Sequence, residues 1–357
     1  MARFSDVLTI VNGKNQSKVE NPNGKYPIYG SGGVMGRADD YLCEAETVII
    51  GRKGSINKPI FVEEPFWNVD TAFGLVADRE RLLPRYLFYF CDFFDFEKLN
   101  TTVTIPSLTK SNLLTIELRL PRLEEQQQIV DELSKVDDLI SLRREQLTKL
   151  DELVKARFVE LFGATSADKC SKRIKDYAEV LGGYDFKSEL FCSNAVPVIR
   201  ISNINNGCVE LDYDICFDEL FWEQNKRFRA EQNDIFMAMS GATTGKAGIY
   251  REDIPALINP RVACIRAKEG IAYPTFLFVA TQLEWMYDLI QETSAGCAQP
   301  NISGKQIENM PVPDATYEQQ QQFAAFVEQT DKSKLAIQRS LDKLETLKKA
   351  LMQKYFG

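Results

Sequence analysis

Two stretches of this chain place apolar residues in alternating steps of four and three. Ile129, Leu133, Val136, Ile140, Leu147, Leu150 and Val154 form one series, with Arg143 in its gap and Arg157 and Leu161 beyond it. Phe323, Val327, Ile337, Leu341, Leu344 and Leu351 form the other, with Thr330, Lys334, Lys348 and Tyr355 at its remaining positions. Such spacing predicts two long helices that pair as a coiled coil. A helix lying on its own domain's core is the plainer alternative, but two matching seams in one chain can satisfy each other. Where one series has a polar residue the other is usually apolar at the equivalent position, as with Arg143 and Ile337 or Lys334 and Ile140, which suggests a specific register. Each helix of about 36 residues would be roughly 54 Å long, a spacer rather than a core element.

The two stretches are copies. Residues 124–163 reappear without a gap at 318–357, with thirteen of forty positions identical and both copies ending in Phe-Gly. The period of 194 residues is too long for a solenoid and predicts two tandem halves. Pro121 and Pro313 precede the helices, and Gly163 followed by Ala-Thr-Ser-Ala-Asp reads as a cap and linker.

Before each helix the apolar runs are short and broken by turn residues. Thr47–Ile50, Phe73–Val76, Val196–Ile199, Asp234–Met239 and Arg261–Arg266 read as strands, and the segments opening at Pro84 and Pro274 as helices. The expected fold is α+β, with domains at 1–120 and 172–312, helices at 121–163 and 313–357, and a linker at 164–171. Pro27 pairs with Pro197, Gly54 with Gly241, Asn68 with Asn259 and Pro106 with Pro300, while the residues between differ freely. A shared frame with different loops is what two binding sites of different specificity would look like.

Composition narrows the chemistry. Histidine is absent, which excludes a Ser-His-Asp triad, a His-paired cysteine nucleophile and any His-containing zinc site. The eight cysteines are scattered without a C-x-x-C and read as buried reduced thiols. No catalytic or metal site is expected. No apolar run reaches 18 residues and the first residues lack signal-peptide character, so no membrane partner and a cytoplasmic location are expected. Net charge is −8, with 14 basic and 15 acidic residues in 1–120 and 14 and 19 in 172–310. Neither half is a strong polyelectrolyte binder alone, so a DNA-binding role would need partner subunits to supply part of the grip.

Several loops carry donors suited to DNA, where Arg or Lys reaches guanine edges, Asn or Gln reaches adenine edges, and hydroxyls reach phosphates. In the first half these are Arg52, Lys53, Ser55 and Lys58, then Thr104, Ser107 and Lys110. In the second they are Arg200, Asn203, Arg229, Ser240, Thr243, Thr244 and Lys246, with Ser303 and Lys305. Each has the plainer reading of a solvated turn or structural loop. Ser240–Lys246 is one residue short of a nucleotide-binding phosphate loop and lacks its magnesium-binding hydroxyl. Asn259-Pro-Arg261 superficially resembles the Asn-Pro-Pro-aromatic motif of adenine methyltransferases, without the second proline or the aromatic.

As an ordered set, Tyr26-Pro-Ile-Tyr-Gly-Ser-Gly-Gly33, Trp67-Asn-Val-Asp-Thr-Ala-Phe73, Thr104-Ile-Pro-Ser-Leu-Thr-Lys110 and Leu123-Glu-Glu-Gln-Gln-Gln-Ile-Val130 resemble the specificity (S) subunit of type I restriction-modification systems. The second half departs more, with Gln299-Pro-Asn-Ile-Ser303 and Tyr317-Glu-Gln-Gln-Gln-Gln322. The resemblance implies two target recognition domains, an antiparallel helix pair acting as a ruler, and an asymmetric bipartite double-stranded DNA target. It implies no catalysis and no cofactor in this chain. S-adenosylmethionine, ATP and magnesium would belong to partners, two methyltransferase (modification) subunits and restriction-translocase subunits. The rivals are a protein-only coiled-coil scaffold and a metal-dependent nuclease, for which Pro313-Asp314 is the nearest motif fragment without a following Glu-x-Lys.

Overall fold

The computed structural model describes residues 1–99, 107–294 and 300–357. The seams do form helices, Leu123–Phe162 and Tyr317–Phe356, each 40 residues and so about 60 Å long. By its contacts the chain divides into two compact units, Met1–Arg144 with Gln338–Gly357, and Glu145–Ile337. Each unit thus combines one globular domain with a piece of both helices.

In the first unit, strands Leu8–Asn12, Ala72–Ala77, Thr47–Gly51 and Ile60–Val62 form an antiparallel sheet in that order. Thr47–Gly51 is buried throughout, which explains its unbroken Val-Ile-Ile run rather than an alternating one. A second sheet sets Tyr26–Gly30 between Gly33–Ala38 and the parallel strand Trp67–Asn68. Helix Pro84–Phe93 opens on proline, whose missing N–H costs nothing at a first helical position. It packs Phe90 on Phe4 and also takes the end of the C-terminal helix, with Phe356 5.1 Å from Tyr86 and 6.1 Å from Phe90. The helix segments run antiparallel here, as Arg144 bonds Glu345 and Tyr355 bonds Glu132.

The second unit repeats the plan. Its sheet begins Ala178–Gly182, Val262–Ala267, Ile235–Ala238, Ala247–Ile249 and extends through Cys208–Val209 and Ile204–Asn205. Val196–Ile199 lies between Cys216–Phe217 and the parallel strand Leu257–Ile258. Helix Pro274–Thr281 receives Phe162 at 5.0 Å and Phe158 at 5.3 Å from the Phe276 ring. The helix segments are again antiparallel, with Phe158 5.3 Å from Phe323 and Lys334 2.5 Å from Asp151. Phe162 and Phe356, identical across the repeat, therefore do the same job in each unit. A further helix, Glu284–Ser294, has no counterpart among the described residues of the first unit and was not expected from the sequence.

The seam needs one correction. Ile129, Leu133, Val136, Ile140, Val154, Phe323, Val327, Leu341 and Leu351 are buried, and Leu147, Leu150, Ile337 and Leu344 are half-buried. Near the helix ends, however, burial moves from the expected Leu161 to Phe158, and Met352 joins Leu351. A straight helix drifts against a strict seven-residue repeat, and the ends pack on a domain helix rather than only on each other.

The two repeats differ where Lys348 stands in the position of Val154. Lys348 Nζ lies 2.9 Å from Asp137 and 3.2 Å from Asp92, and the Tyr89 hydroxyl donates to Asp137 at 3.0 Å. Val154 is buried in the apolar core of its own unit. Lys348→Val should lower stability by only about 1 kcal/mol, because the two carboxylates remain partly exposed to water. Urea unfolding of the variant checks this; a loss of several kcal/mol would mean the carboxylates are desolvated beyond what their exposure indicates.

Of the cysteines, Cys43, Cys91, Cys170, Cys216 and Cys264 are buried, Cys192 and Cys208 are exposed, contrary to expectation, and Cys297 lies outside the described residues. Burial pushes the Cys43 thiol up to about 12, and it holds the thiols of Cys91 and Cys264 well above the ordinary range, with Asp92 and Asp234 adding to it. These thiols are kept protonated and unreactive. Among the described residues no His/Cys/Asp/Glu group is arranged to hold a metal, and no helix is long and apolar enough to cross a membrane.

Candidate nucleic-acid interface

At one end of each main sheet, loops from distant parts of the chain are drawn together by backbone hydrogen bonds, and the two domains use the same set. In domain 1, Lys14 N donates to Asn68 O at 2.9 Å, Val69 N to Tyr29 O at 3.0 Å, Arg52 N to Thr71 O at 2.8 Å and Leu108 N to Arg52 O at 2.9 Å. In domain 2, Tyr184 N donates to Ile258 O at 2.9 Å, Asn259 N to Ile199 O at 3.1 Å, Met239 N to Arg261 O at 2.9 Å and Ile302 N to Met239 O at 2.9 Å. Lys53 bridges Ser107 as Ser240 bridges Asn301. Close packing of the frame requires Gly13 and Gly183, where a Cβ would come within 1.8 Å of Val69 O and 2.2 Å of Ile258 O.

The equivalences follow residue by residue. Pro27 matches Pro197 and Gly54 matches Gly241, but Asn259 matches Val69, one position from the Asn68 that sequence spacing pairs it with. Asn259 Oδ1 accepts Arg261 N at 3.1 Å, so the Asn-Pro-Arg segment is a turn of the frame. On this common scaffold the side chains diverge. Lys14 corresponds to Tyr184, Gly30 to Arg200, Arg52 to Met239, Lys53 to Ser240, Thr71 to Arg261 and Ser107 to Asn301.

The expected donors fall into two groups. Arg52, Lys53, Ser55 and Lys58 are exposed, and the Arg52 guanidinium lies 5.8 Å from the Phe73 ring. Thr243 and Lys305 are exposed, and Ser107, Ser240 and Lys246 are half-buried, with Lys246 Nζ 3.5 Å from Asn205 Oδ1. Thr104 lies outside the described residues.

Others are committed to holding the fold. Asn203 is buried, accepts Arg200 N at 2.9 Å and donates to Glu210 O at 2.7 Å. Thr244 is buried and donates to Gly241 O, with Pro300 O at 3.1 Å. Arg229 spends its guanidinium on Trp222 O and Glu223 O, stacked 3.9 Å from the Trp222 ring. Arg200 pairs with Asp212 at 2.9 Å, Lys110 donates to Ile10 O at 2.9 Å, and Ser303 caps the helix Gly304–Glu308. Five of these six side chains are bonded to backbone groups of their own domain, and Arg200 to a carboxylate. Lys14, Thr71, Tyr184, Arg261 and Asn301, all exposed at the same sheet ends, were not among the expected donors. The signal for Lys14 and Tyr184 is the pair Gly13-Lys14 and Gly183-Tyr184 after the first strand of each main sheet, visible only once the halves are aligned with the right offset.

Tandem α+β domains on one frame, unlike loop chemistry at the same sheet end, and antiparallel helix segments in each unit define the specificity-subunit architecture. The chain belongs to the family of the type I restriction modification DNA specificity domain, whose model matches residues 1–152 and 168–348. It is 23% identical over 354 residues to the type I restriction enzyme EcoBI specificity subunit of Escherichia coli, covering 89% of this chain and 74% of that one. It is 26% identical over 384 residues to the MjaVIII specificity subunit of Methanocaldococcus jannaschii, covering 99% and 90%. Its fold matches the crystal structure of a type I restriction-modification S subunit from M. genitalium with a TM-score of 0.60 at 17% identity, over 100% of this chain and 95% of that one. A structure describing complex assembly of a type I R-M system matches at 0.57 and 17%, over 99% and 96%. Its function is that of a type I restriction-modification specificity subunit.

Proposed function

We propose that this chain directs a type I restriction-modification complex to an asymmetric, bipartite double-stranded DNA target and performs no chemistry itself. Each sheet end meets one half of the target. The observation that carries this is the common hydrogen-bonded frame with exchanged side chains, above all Arg52 beside Thr71 in domain 1 and Met239 beside Arg261 in domain 2. Arginine is the commonest reader of guanine, and here it stands on opposite strands of the same rung, so the two halves should differ. Modification subunits, two by family analogy, would bring S-adenosylmethionine, and restriction-translocase subunits ATP and magnesium. The near-balanced charge of both domains supports sharing the phosphate grip with those partners.

Co-expression with the modification subunit followed by mapping of methylated adenines tests it. A split motif with unlike halves is the expected result. Arg52→Ala should relax one base position in one half and Arg261→Ala one in the other, each by roughly 5- to 100-fold. A complex that assembles but yields no motif would favour the protein-only scaffold. Asp314, the nearest fragment of a nuclease motif, accepts the Tyr177 hydroxyl at 3.2 Å, a structural use.

A further inference from the structure

Domain 1 carries an exposed apolar pair beside its polar loop end. Strands Tyr26–Gly30 and Gly33–Ala38 form a hairpin whose register shifts, since Ile28 pairs with Gly36 but Tyr29 with Val34. Met35 is the extra residue of a β-bulge, an irregularity that re-aims side chains. Val34 and Met35 are 62% and 63% exposed and, Met1 aside, are the only large apolar residues left so open among the described residues of this domain.

The hairpin is fixed against the loops of the interface. The Met35 sulfur lies over Gly30, 2.6 Å from where a Cβ would stand, with Val69 Cγ2 3.5 Å from the same point. Val69 N is bonded to Tyr29 O. At the hairpin tip, Ser31 Cβ is 2.9 Å from where a Gly51 Cβ would stand. Met35, with Val34 next to it in the chain, therefore adjoins the loops bearing Lys14, Arg52, Lys53, Asp70 and Thr71. Domain 2 has no such tip, because Arg200, in the place of Gly30, opens a short helical turn at Ile201–Asn203 and pairs with Asp212.

Hydrogen-bonding side chains and one apolar feature side by side match the DNA major groove, where acceptors for Lys and Arg lie near the thymine 5-methyl group. We propose that Val34 and Met35 read a thymine methyl in the half-site of domain 1. This rests on the DNA-facing role of the loop end proposed above. The bulge sets Met35 over Gly30 beside the exposed Val34, at the end of the hairpin where an incoming methyl group can be covered.

The full chain, assembled with its modification subunits, is given duplexes in which each thymine of the domain 1 half-site is replaced singly by deoxyuridine, which lacks only that methyl. One replacement should slow methylation by the native complex about four- to tenfold, in keeping with one buried methyl group or somewhat more. The V34S/M35S complex should be slow on thymine by a similar factor and indifferent to that replacement, with an unchanged melting curve. Indifference of the native complex at every thymine of that half, or full deoxyuridine sensitivity in the variant, overturns the inference while leaving the bipartite reading intact. Absence of any methylated motif would refute the reading itself.

Discussion

Phe158→Ala should cost about 3–5 kcal/mol, the range for truncating a large buried aromatic. Phe158 is fully buried and meets Phe162, Phe276 and Phe323 at ring separations of 4.8 to 5.3 Å. It joins both long helices to the domain helix Pro274–Thr281, so the cavity would open where three elements meet. Its neighbours come from three rigid helices and have little freedom to collapse into the gap. The expected result is an early unfolding transition in urea for the unit Glu145–Ile337, read by a conservative Phe158→Leu control that loses far less. A loss below 1 kcal/mol would mean that the aromatic cluster repacks freely.

Much of this fold was legible because it was written as periodicity. The two helices and their pairing follow from apolar steps of four and three in matched seams, whereas their antiparallel orientation came only from the family resemblance. The strands Thr47–Gly51 and Val262–Ala267 follow from short apolar runs, and helices Pro84–Phe93 and Pro274–Thr281 from proline before an aromatic stretch. Phe158 was not legible, since a strict seam selects Leu161 and only the packing of the helix end against a domain reveals the drift. The Glu284–Ser294 helix was missed because its apolar positions, Trp285, Met286, Leu289 and Ile290, are too few to declare a period.

The interface was legible as a kind of chemistry and not as a set of side chains. Arg52 and Lys53, which the structure leaves exposed, stand out in the sequence because glycines flank them. Asn203, Thr244 and Arg229 carry the same donor types, yet their partners are carbonyls brought close by folding, which no local spacing announces. Conversely Thr71 and Arg261 are ordinary turn residues in sequence. They become significant only because their carbonyls receive the N–H groups of Arg52 and Met239, placing four side chains on one rung in two combinations. A frame shared in hydrogen bonds while its side chains differ allows the loop surface of one domain to change without disturbing that of the other.

The run of glutamines that opens each helix has a structural explanation with a large expected effect. Gln126 and Gln320, equivalent across the repeat, are both fully buried. Gln126 Oε1 accepts Leu83 N at 2.9 Å, and its Nε2 donates to Arg81 O at 2.8 Å and Pro121 O at 2.9 Å. Gln320 Oε1 accepts Tyr273 N at 2.9 Å, and its Nε2 donates to Ala315 O at 3.0 Å and Ile271 O at 3.3 Å. One amide thus satisfies the entry to the domain helix and the turn before the long helix. Gln126→Leu keeps the volume but strands a buried N–H and two carbonyls, at about 1–3 kcal/mol for the donor and less for each carbonyl, so about 3–5 kcal/mol in all. Gln126→Glu separates hydrogen bonding from shape. Its carboxylate would face two carbonyl oxygens in a dry site, so the folded state should hold the proton and raise the pKa above the unfolded value of about 4.3. Stability is then retained below that pH and lost as pH rises through the folded pKa. Urea unfolding at pH 4 and pH 8 should show the Glu variant about 1 kcal/mol below native at the lower value, because its single O–H can donate to only one of the two carbonyls, and several kcal/mol weaker at the higher one. A pH-independent deficit would place the amide's role in packing instead.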